Sequence, residues 1–412
     1  MGHQALKLNP TAIPQGTRTF LFEEAAQRRA LERTVHGILR GRGFEEIDTP
    51  LLDYYESAAA GLSEDERNRI IRFSEAESGR PIALRNDITS QIARSAATHL
   101  AGRPLPLRLF YSGPVFRHPR KGKGEQYVIG QAGFEIVGHA GPEADIEIML
   151  GVKAVLENSF PRGYALSLGH AGIINSFLKP VPAAHLDGVK TALARKDKTA
   201  LEELLAAAGI TADETRRILA LTGFFGGKEV IGKARVIAAG DAAALAALDN
   251  LAAIYDALVT DGFGKKLSID LGEMRGFGYY TGVIMELFST AGALLGNGGR
   301  YDNLVKRYGP DLSAVGFAFD IDMMVDALMR EGESGLWKGA DYLLLDAMNN
   351  AAADTIREKG FSVIVPLAPL SLKEALDFAQ KMNIAEILVP AGEKGFKIIR
   401  AATGVETGSL DI

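Results

Sequence analysis

Across 412 residues the chain holds no cysteine. Disulfides, thiolate nucleophiles and cysteine-based zinc or iron–sulfur sites are excluded together. Whatever the chain folds into must be held by apolar burial, and its length suffices for a large core. At about 150 residues per domain, two or three domains are expected. A 47 % hydrophobic and 24 % charged composition is that of an ordinary globular chain and argues against long disorder. The lack of cysteine fits a reducing compartment. Residues 1–10 lack the apolar centre of a signal peptide, and no apolar run reaches the roughly 18 residues of a membrane span. A cytoplasmic chain without a membrane segment is expected. Lys and Arg number 46 against 51 Asp and Glu, a net charge of −5, so the overall field does not advertise nucleic-acid binding.

Periodicity divides the chain. Leu21, Ala25, Leu31, Val35, Ile38 and Leu39 recur near one face and predict a helix over Phe20–Arg40, ended by Gly41 and Gly43. Phe44–Asp53 reads as a short strand running into Pro50. Ile70–Phe73 and Ile82–Leu84 read as two arms of a hairpin around Gly79-Arg80-Pro81. Ser90–Leu100 and Glu143–Asn158 read as helices. Between them Arg108–Phe116 and Gln131–Val137 are apolar strand candidates flanking a basic, glycine-rich loop. Residues 170–260 are dominated by alanine and leucine and predict a helical insertion. Strand signals return at Leu267–Leu271, Thr281–Phe288 and Ala314–Phe319. Gly296-Asn297-Gly298-Gly299 reads as a turn. After a polar linker at 331–340, strand–helix alternation over 341–412 predicts a small α/β domain with a partly parallel sheet.

No phosphate loop is present, because Glu229 follows Lys228 where a serine or threonine is needed. The seven histidines show no metal-ligand spacing, and neither a metal nor a cofactor is called for. The chemistry concentrates in four segments: Leu84–Thr89; Phe116–Gly124 with Gln131 and Glu135; Arg275–Gly282; and Gly298–Asp302 with Ala314–Ala318. Arg117 and Arg275 lie at strand ends, where a guanidinium fork suits a carboxylate or phosphate. Asp87, Gln131 and Glu135 offer acceptors for an ammonium group. Acid, amide and guanidinium together suit a free amino acid. The same groups could instead close internal salt bridges, and Arg120, Lys121 and Lys123 could simply be a solvated loop.

Over roughly residues 5–330 the chain resembles histidyl-tRNA synthetase. Gly43–Pro50 resembles motif 1 of the class II synthetases, whose proline sits at the dimer interface in that family. Phe116-Arg117 and the following loop resemble motif 2. Arg275–Tyr280 is similar to the histidine-specific R-G-x-x-Y-Y signature, and Ala314–Ala318 to the start of motif 3. The resemblance implies an α+β fold: an antiparallel sheet flanked by helices over 1–330, with a helical insertion at about 170–260. It also implies that 341–412 is a shortened relative of an anticodon-binding domain. A histidine-like pocket would comprise Asp87, Thr89, Arg117, Gln131, Glu135, Arg275, Tyr279 and Tyr280.

The departures bear on function. Met323 occupies the place of the arginine that holds the ATP triphosphate in the synthetase. Pro119 replaces an adenine-binding acid, ungapped counting puts Tyr127 where a second phosphate-facing arginine belongs, and Gly278 replaces the signature's acid. The substrate-loop glutamate is shortened to Asp87. Losing a charged donor to a buried anion costs about 2–5 kcal/mol, so adenylate formation should be disabled by several decades. This profile resembles the regulatory subunits of ATP phosphoribosyltransferase. That resemblance implies no catalytic step of its own, a short-form catalytic partner in a hetero-octamer, a self-dimer, and histidine as feedback effector and candidate ligand. The competing readings are an active histidyl-tRNA synthetase and another amino-acid-binding synthetase relative. The segment 339–412 carries 7 basic and 10 acidic residues, net −3, which argues against gripping tRNA.

Overall fold

Gln27, Leu31, Val35 and Leu39 recur every fourth residue and form the buried face of the helix Phe22–Gly41. A single stripe at that spacing is what a helix lays against a sheet. Gly43, at φ +81°, then turns the chain, a conformation that only a residue without Cβ adopts freely. The computed structural model describes residues 11–411 except 61, 63, 121–124, 161–162, 275–277, 334–335, 337–338, 347–349 and 392–394, and omits the side chains of Asp65 and Asp411. It divides into two compact units, Met1–Glu333 and Ser334–Ile412.

The first unit is built on a nine-stranded sheet. From edge to edge its strands are Glu45–Glu46, Leu107–Phe116, Val128–Val137, Ala314–Asp320, Leu294–Arg300, Val283–Ser289, Tyr164–His170, Leu267–Asp270 and Phe225–Gly226. The six strands from Leu107–Phe116 to Tyr164–His170 pair antiparallel. Glu45–Glu46 and Leu267–Asp270 join them in parallel. Phe110, Phe134, Phe317 and Phe319 are fully buried in the sheet's core. The helix Pro142–Ser159 packs on this sheet beside Phe22–Gly41. It opens with proline in its first turn, followed by Glu143 and Asp145, residues that suit free N–H groups and the positive end of a helix dipole. Gly151 makes room for the Phe134 ring, whose Cε2 would lie 2.6 Å from a Cβ there. A smaller antiparallel sheet orders Leu52–Tyr54, Pro81–Leu84 and Arg72–Ser74.

The glycine run 296–299 is not a turn: it lies inside the strand Leu294–Arg300, paired on both sides. The physical reason is crowding. A Cβ on Gly296 would stand 2.6 Å from the Ala318 carbonyl oxygen, and one on Gly298 2.7 Å from Phe317 Cα. A missing Cβ serves close backbone approach as well as a turn. The strand Tyr164–His170 also went unanticipated; six of its seven residues are buried.

Six α-helices, ending in Ala242–Thr260, make up most of 171–260, with a 3-10 turn at Leu221–Gly223 and the edge strand Phe225–Gly226 between them. Among the described residues this last helix alone is long and apolar enough, by length and composition, to cross a membrane. Asp249 and Asp256 interrupt its apolar run, which is why the sequence showed no such stretch. Its Leu248, Leu251, Ile254 and Leu258 are fully buried, and it packs on the helices Ala171–Leu178 and Pro142–Ser159. Asp241 caps it by accepting from the Ala244 N–H at 3.0 Å, while also accepting from the Ser176 hydroxyl and Arg217. Burial works against this carboxylate, but these donors outweigh it and hold its pKa below the ordinary value. Asp241→Ala is expected to cost about 1–2 kcal/mol near neutral pH. The cost should vanish in acid, because the carboxylate's contribution is present above its unfolded pKa of about 3.9 and is lost as pH falls through the lower folded value. Urea melts at neutral pH and at acid pH check both statements.

The second unit is a five-stranded sheet ordered Val363–Ile364, Tyr342–Leu344, Glu386–Pro390, Gly395–Arg400 and Glu406–Asp411. The first three strands are parallel and the last two antiparallel. The helix Leu372–Lys381 begins with a reciprocal capping box between Ser371 and Glu374.

Candidate functional site

One cavity of about 270 Å³ opens on the nine-stranded sheet. That is slightly below the range of pockets for drug-sized ligands, about 300–1,000 Å³, and suits a molecule the size of an amino acid. Its floor is partly main chain. Gly299 and Gly316 face each other across paired strands, and both line the cavity with Gly298. A Cβ on Gly299 would lie 2.8 Å from the Tyr280 ring, and one on Gly316 would collide with the Glu135 carboxylate.

Glu135 sits at the centre of the polar wall and is only 1 % exposed. Its Oε1 accepts from the Thr89 hydroxyl at 2.9 Å and the Tyr111 hydroxyl at 3.1 Å; its Oε2 accepts from the Tyr301 hydroxyl at 2.7 Å. Burial pushes the carboxyl up to about 8, and the three hydroxyls only partly offset that. A buried carboxyl that keeps its proton near neutral pH is the expected result of desolvation without a cationic partner. Asp87 begins the turn into the helix Thr89–Ala97, where its Oδ1 accepts from the Thr89 N–H at 3.3 Å. Burial raises its pKa as well, against the pull of Arg117.

Arg117 follows the strand Leu107–Phe116, and its Nε donates to the Asn86 carbonyl at 2.8 Å. Among the described residues it closes no ion pair, so its fork is not spent internally. Arg85 shows the contrast: 3 % exposed, it donates to the carbonyls of Pro114 at 2.8 Å and Thr49 at 2.7 Å and serves as a brace. Gln131 lines the cavity, and its Oε1 is buried without a hydrogen-bond partner. An orphaned acceptor of this kind costs about 1–3 kcal/mol unless something else donates to it. The aromatic end is made by Tyr279, stacked on Tyr301 at 5.7 Å and edge-on to Tyr280 at 5.1 Å. The Tyr280 hydroxyl accepts from Asn297 Nδ2 at 3.1 Å, and burial holds its pKa above the ordinary value.

Of the eight residues expected from the sequence, Asp87, Thr89, Arg117, Gln131, Glu135, Tyr279 and Tyr280 line this one cavity. Arg275 lies outside the described residues, as do Lys121 and Lys123. Arg120 is at the rim and pairs with Glu125 at 3.3 Å. Sequence reasoning passed over Tyr111 and Asn297, and placed Tyr301 in one of the four segments without giving it a role. Tyr111 is opposite Gly133 in register, and a Cβ on Gly133 would lie 2.6 Å from its ring carbon Cζ; the tyrosine–glycine pair was the available signal. Among the described residues no group of three or more His, Asp or Glu is arranged to hold a metal ion.

Next to Gln131 in the sheet, outside the residues that line the cavity, stand two acids. Asp320, opposite Gln131 in register, caps the helix Ile321–Arg330 through the Met323 N–H at 2.9 Å, and burial pushes it up to about 6. Asp322 accepts from the Gly130 N–H at 2.8 Å and pairs with Arg28 at 3.2 Å. The Met323 side chain packs against the core. Tyr127 is tied by its backbone between Gly16 and Arg117.

The histidyl-tRNA synthetase family model matches residues 16–324. Curated relatives include the ATP phosphoribosyltransferase regulatory subunit of Geobacter sulfurreducens, 34 % identical over 93 % of this chain and 89 % of its own. That of Symbiobacterium thermophilum is 35 % identical over 92 % of this chain and 97 % of its own. Among solved structures, a protein described as an ATP phosphoribosyltransferase regulatory subunit/histidyl-tRNA synthetase from Bacillus halodurans superposes with a TM-score of 0.79. It is 24 % identical, over 94 % of this chain and all of the other. A histidyl-tRNA synthetase from Nostoc superposes with a TM-score of 0.82 at 18 % identity, over 98 % of this chain and 97 % of the other. At those identities the two structures speak for the fold alone, that of a class II synthetase.

Proposed function

The chain belongs to the ATP phosphoribosyltransferase regulatory subunits within the histidyl-tRNA synthetase-like family, and from that membership we propose that it activates a short-form catalytic subunit and carries histidine feedback to it. The regulatory role goes with the family. The proposal adds that the partner joins ATP to phosphoribosyl pyrophosphate, the first step of histidine biosynthesis, and that this chain performs no chemical step.

One observation carries the reading: seven residues that suit an amino acid line one cavity, while the chain has Met323 where an arginine would hold a triphosphate. Asp87, Gln131 and Glu135 offer acceptors to an ammonium and a ring N–H, and Arg117 offers a fork to a carboxylate. Met323 stands in place of an arginine in the first turn of the helix Ile321–Arg330, its N–H donating to Asp320. A methionine there offers no charge to the triphosphate that a synthetase needs to hold. The assembly proposed is a hetero-octamer of four regulatory and four catalytic chains, with regulatory self-dimers formed around the segment ending at Pro50. Histidine would act by preferring the inactive assembly, since an effector shifts an equilibrium only by its differential affinity.

The test is phosphoribosyltransferase activity of the short catalytic subunit from the same source, with and without this chain, and then with histidine. Strong activation on mixing and inhibition by histidine are expected. Histidine-dependent ATP–pyrophosphate exchange by this chain alone should be at background. Exchange without activation would instead make the chain a synthetase.

A further inference from the structure

Among the described residues, three arginines line the cavity: Arg69, Arg117 and Arg120. Guanidinium forks that converge from separate segments are how a protein holds a chain of phosphates. Here two of the three meet a carboxylate of the chain itself. Glu125 stands where the loop after the strand Leu107–Phe116 returns towards the strand Val128–Val137. Its Oε2 accepts from Arg69 Nη2 at 2.5 Å and from the Arg120 N–H at 3.0 Å, and its Oε1 accepts from Arg120 Nη1 at 3.3 Å. Glu125 does not itself line the cavity, so it offsets the charge of both arginines without taking up ligand space. Arg69 is also fixed independently of Glu125. Its Nε donates to the His118 carbonyl at 3.0 Å, and the His118 N–H donates back to the Arg69 carbonyl at 2.8 Å. The base of the loop is closed by main chain, the Arg117 N–H donating to the Tyr127 carbonyl at 3.0 Å. The Arg69 side chain is only 15 % exposed and that of Glu125 29 %, so this pair is screened less than one standing free in solvent.

We propose that Glu125 is a specificity-determining residue: as a built-in anion it takes the position between Arg69 and Arg120 that a phosphate group would take, and so leaves the cavity mouth fit for a zwitterion and unfit for a polyphosphate. A carboxylate held by two guanidinium groups and a main-chain N–H makes the contacts one phosphate would make. A polyanion brought to these arginines meets the Glu125 charge beside them, and like charges that close repel strongly in a part-buried place. A zwitterion brings no net charge and escapes most of that repulsion. The inference goes beyond the regulatory role and does not depend on histidine binding, because it concerns what the mouth refuses.

Calorimetry of the full chain with sodium tripolyphosphate, free of divalent metal and at fixed ionic strength, tests it. The wild type should bind weakly. Glu125→Gln keeps the shape and removes the charge, and should tighten the affinity by about tenfold or more. Two further variants separate a local site from a general change of net charge. Glu77→Gln removes the same charge from the exposed turn between the strands Arg72–Ser74 and Pro81–Leu84, and should leave the wild-type affinity unchanged. Arg69→Met added to Glu125→Gln should cancel the gain. Circular dichroism checks that each variant is folded. If Glu125→Gln is not, Glu125→Asp carries the test, because withdrawing the carboxylate by one methylene should give a smaller gain of the same sign. Equal affinity in the wild type and the Glu125 variant, whether weak or tight, overturns the proposal. So does a gain that Glu77→Gln reproduces, or one that survives Arg69→Met.

Discussion

Replacing Asp145 by alanine is expected to destabilise the N-terminal unit by about 3 kcal/mol, the lower end of the cost of stranding a buried charge, because Asp302 still pairs with that charge at 3.4 Å. The charge left behind is Arg300, which is almost wholly buried. Its Nε lies 3.1 Å and its Nη2 3.0 Å from Asp145 Oδ1, and its other donors reach the carbonyls of His139 and Gly141 at 3.1 Å each. This arginine fastens the start of the helix Pro142–Ser159 to the end of the strand that delivers Tyr301 to the cavity. Burial pushes the Asp145 carboxyl up to about 6 even beside that guanidinium, so desolvation absorbs much of the pair's attraction. Removing one partner should therefore hurt far more than removing both. Asp145→Ala should lower the urea midpoint strongly with an unchanged slope, and Arg300→Met added to it should restore a large part of the loss. A single variant whose unfolding free energy stays within about 0.5 kcal/mol of wild type would show that water reaches Arg300.

The second large effect is expected at a residue with no side chain. Gly316→Ala places a methyl where the Glu135 carboxylate lies. The carboxylate must then leave the hydroxyls of Thr89, Tyr111 and Tyr301, or the strands must part. Overpacking of this sort costs about 1–3 kcal/mol in stability. Loss of the Glu135 contact should cost about 2–5 kcal/mol in binding, roughly thirtyfold or more in histidine affinity. Calorimetry at matched pH, with circular dichroism to confirm the fold, measures both. An unchanged affinity would mean that Glu135 does not touch the ligand.

What could be read in advance follows from how local each signal is. The helix Phe22–Gly41 was legible because its stripe repeats every fourth residue within one element. The pair Leu107–Phe116 and Val128–Val137 was legible as two apolar runs around one loop. The strand Glu406–Asp411 was not read: Glu-Thr-Gly-Ser-Leu-Asp has a single large apolar residue, and a polar edge strand carries little alternation to detect. In the cavity, Asp87, Thr89, Gln131 and Glu135 were found because they sit in segments that match a known pattern. The two phenols that join Thr89 on Glu135, those of Tyr111 and Tyr301, were given no role. Tyr301 lies 166 residues from Glu135 in sequence, and only the register of the sheet brings the two together. The glycine run at 296–299 was misjudged for a related reason: what it avoids is the neighbouring strand, invisible from the run itself.

The main-chain floor has a consequence for how such a pocket can change over generations. At Gly298, Gly299 and Gly316 a mutation can only add atoms, since nothing remains to be trimmed. A descendant that needs a bigger ligand has to find the room by cutting back its walls, chiefly the tyrosines. A descendant that needs the pocket silenced has a much shorter route, because one methyl group at the floor is enough to push the Glu135 carboxylate or the Tyr280 ring out of place. Drift at these three positions therefore runs towards closure, and an open pocket persists only in lineages where something selects for keeping it open.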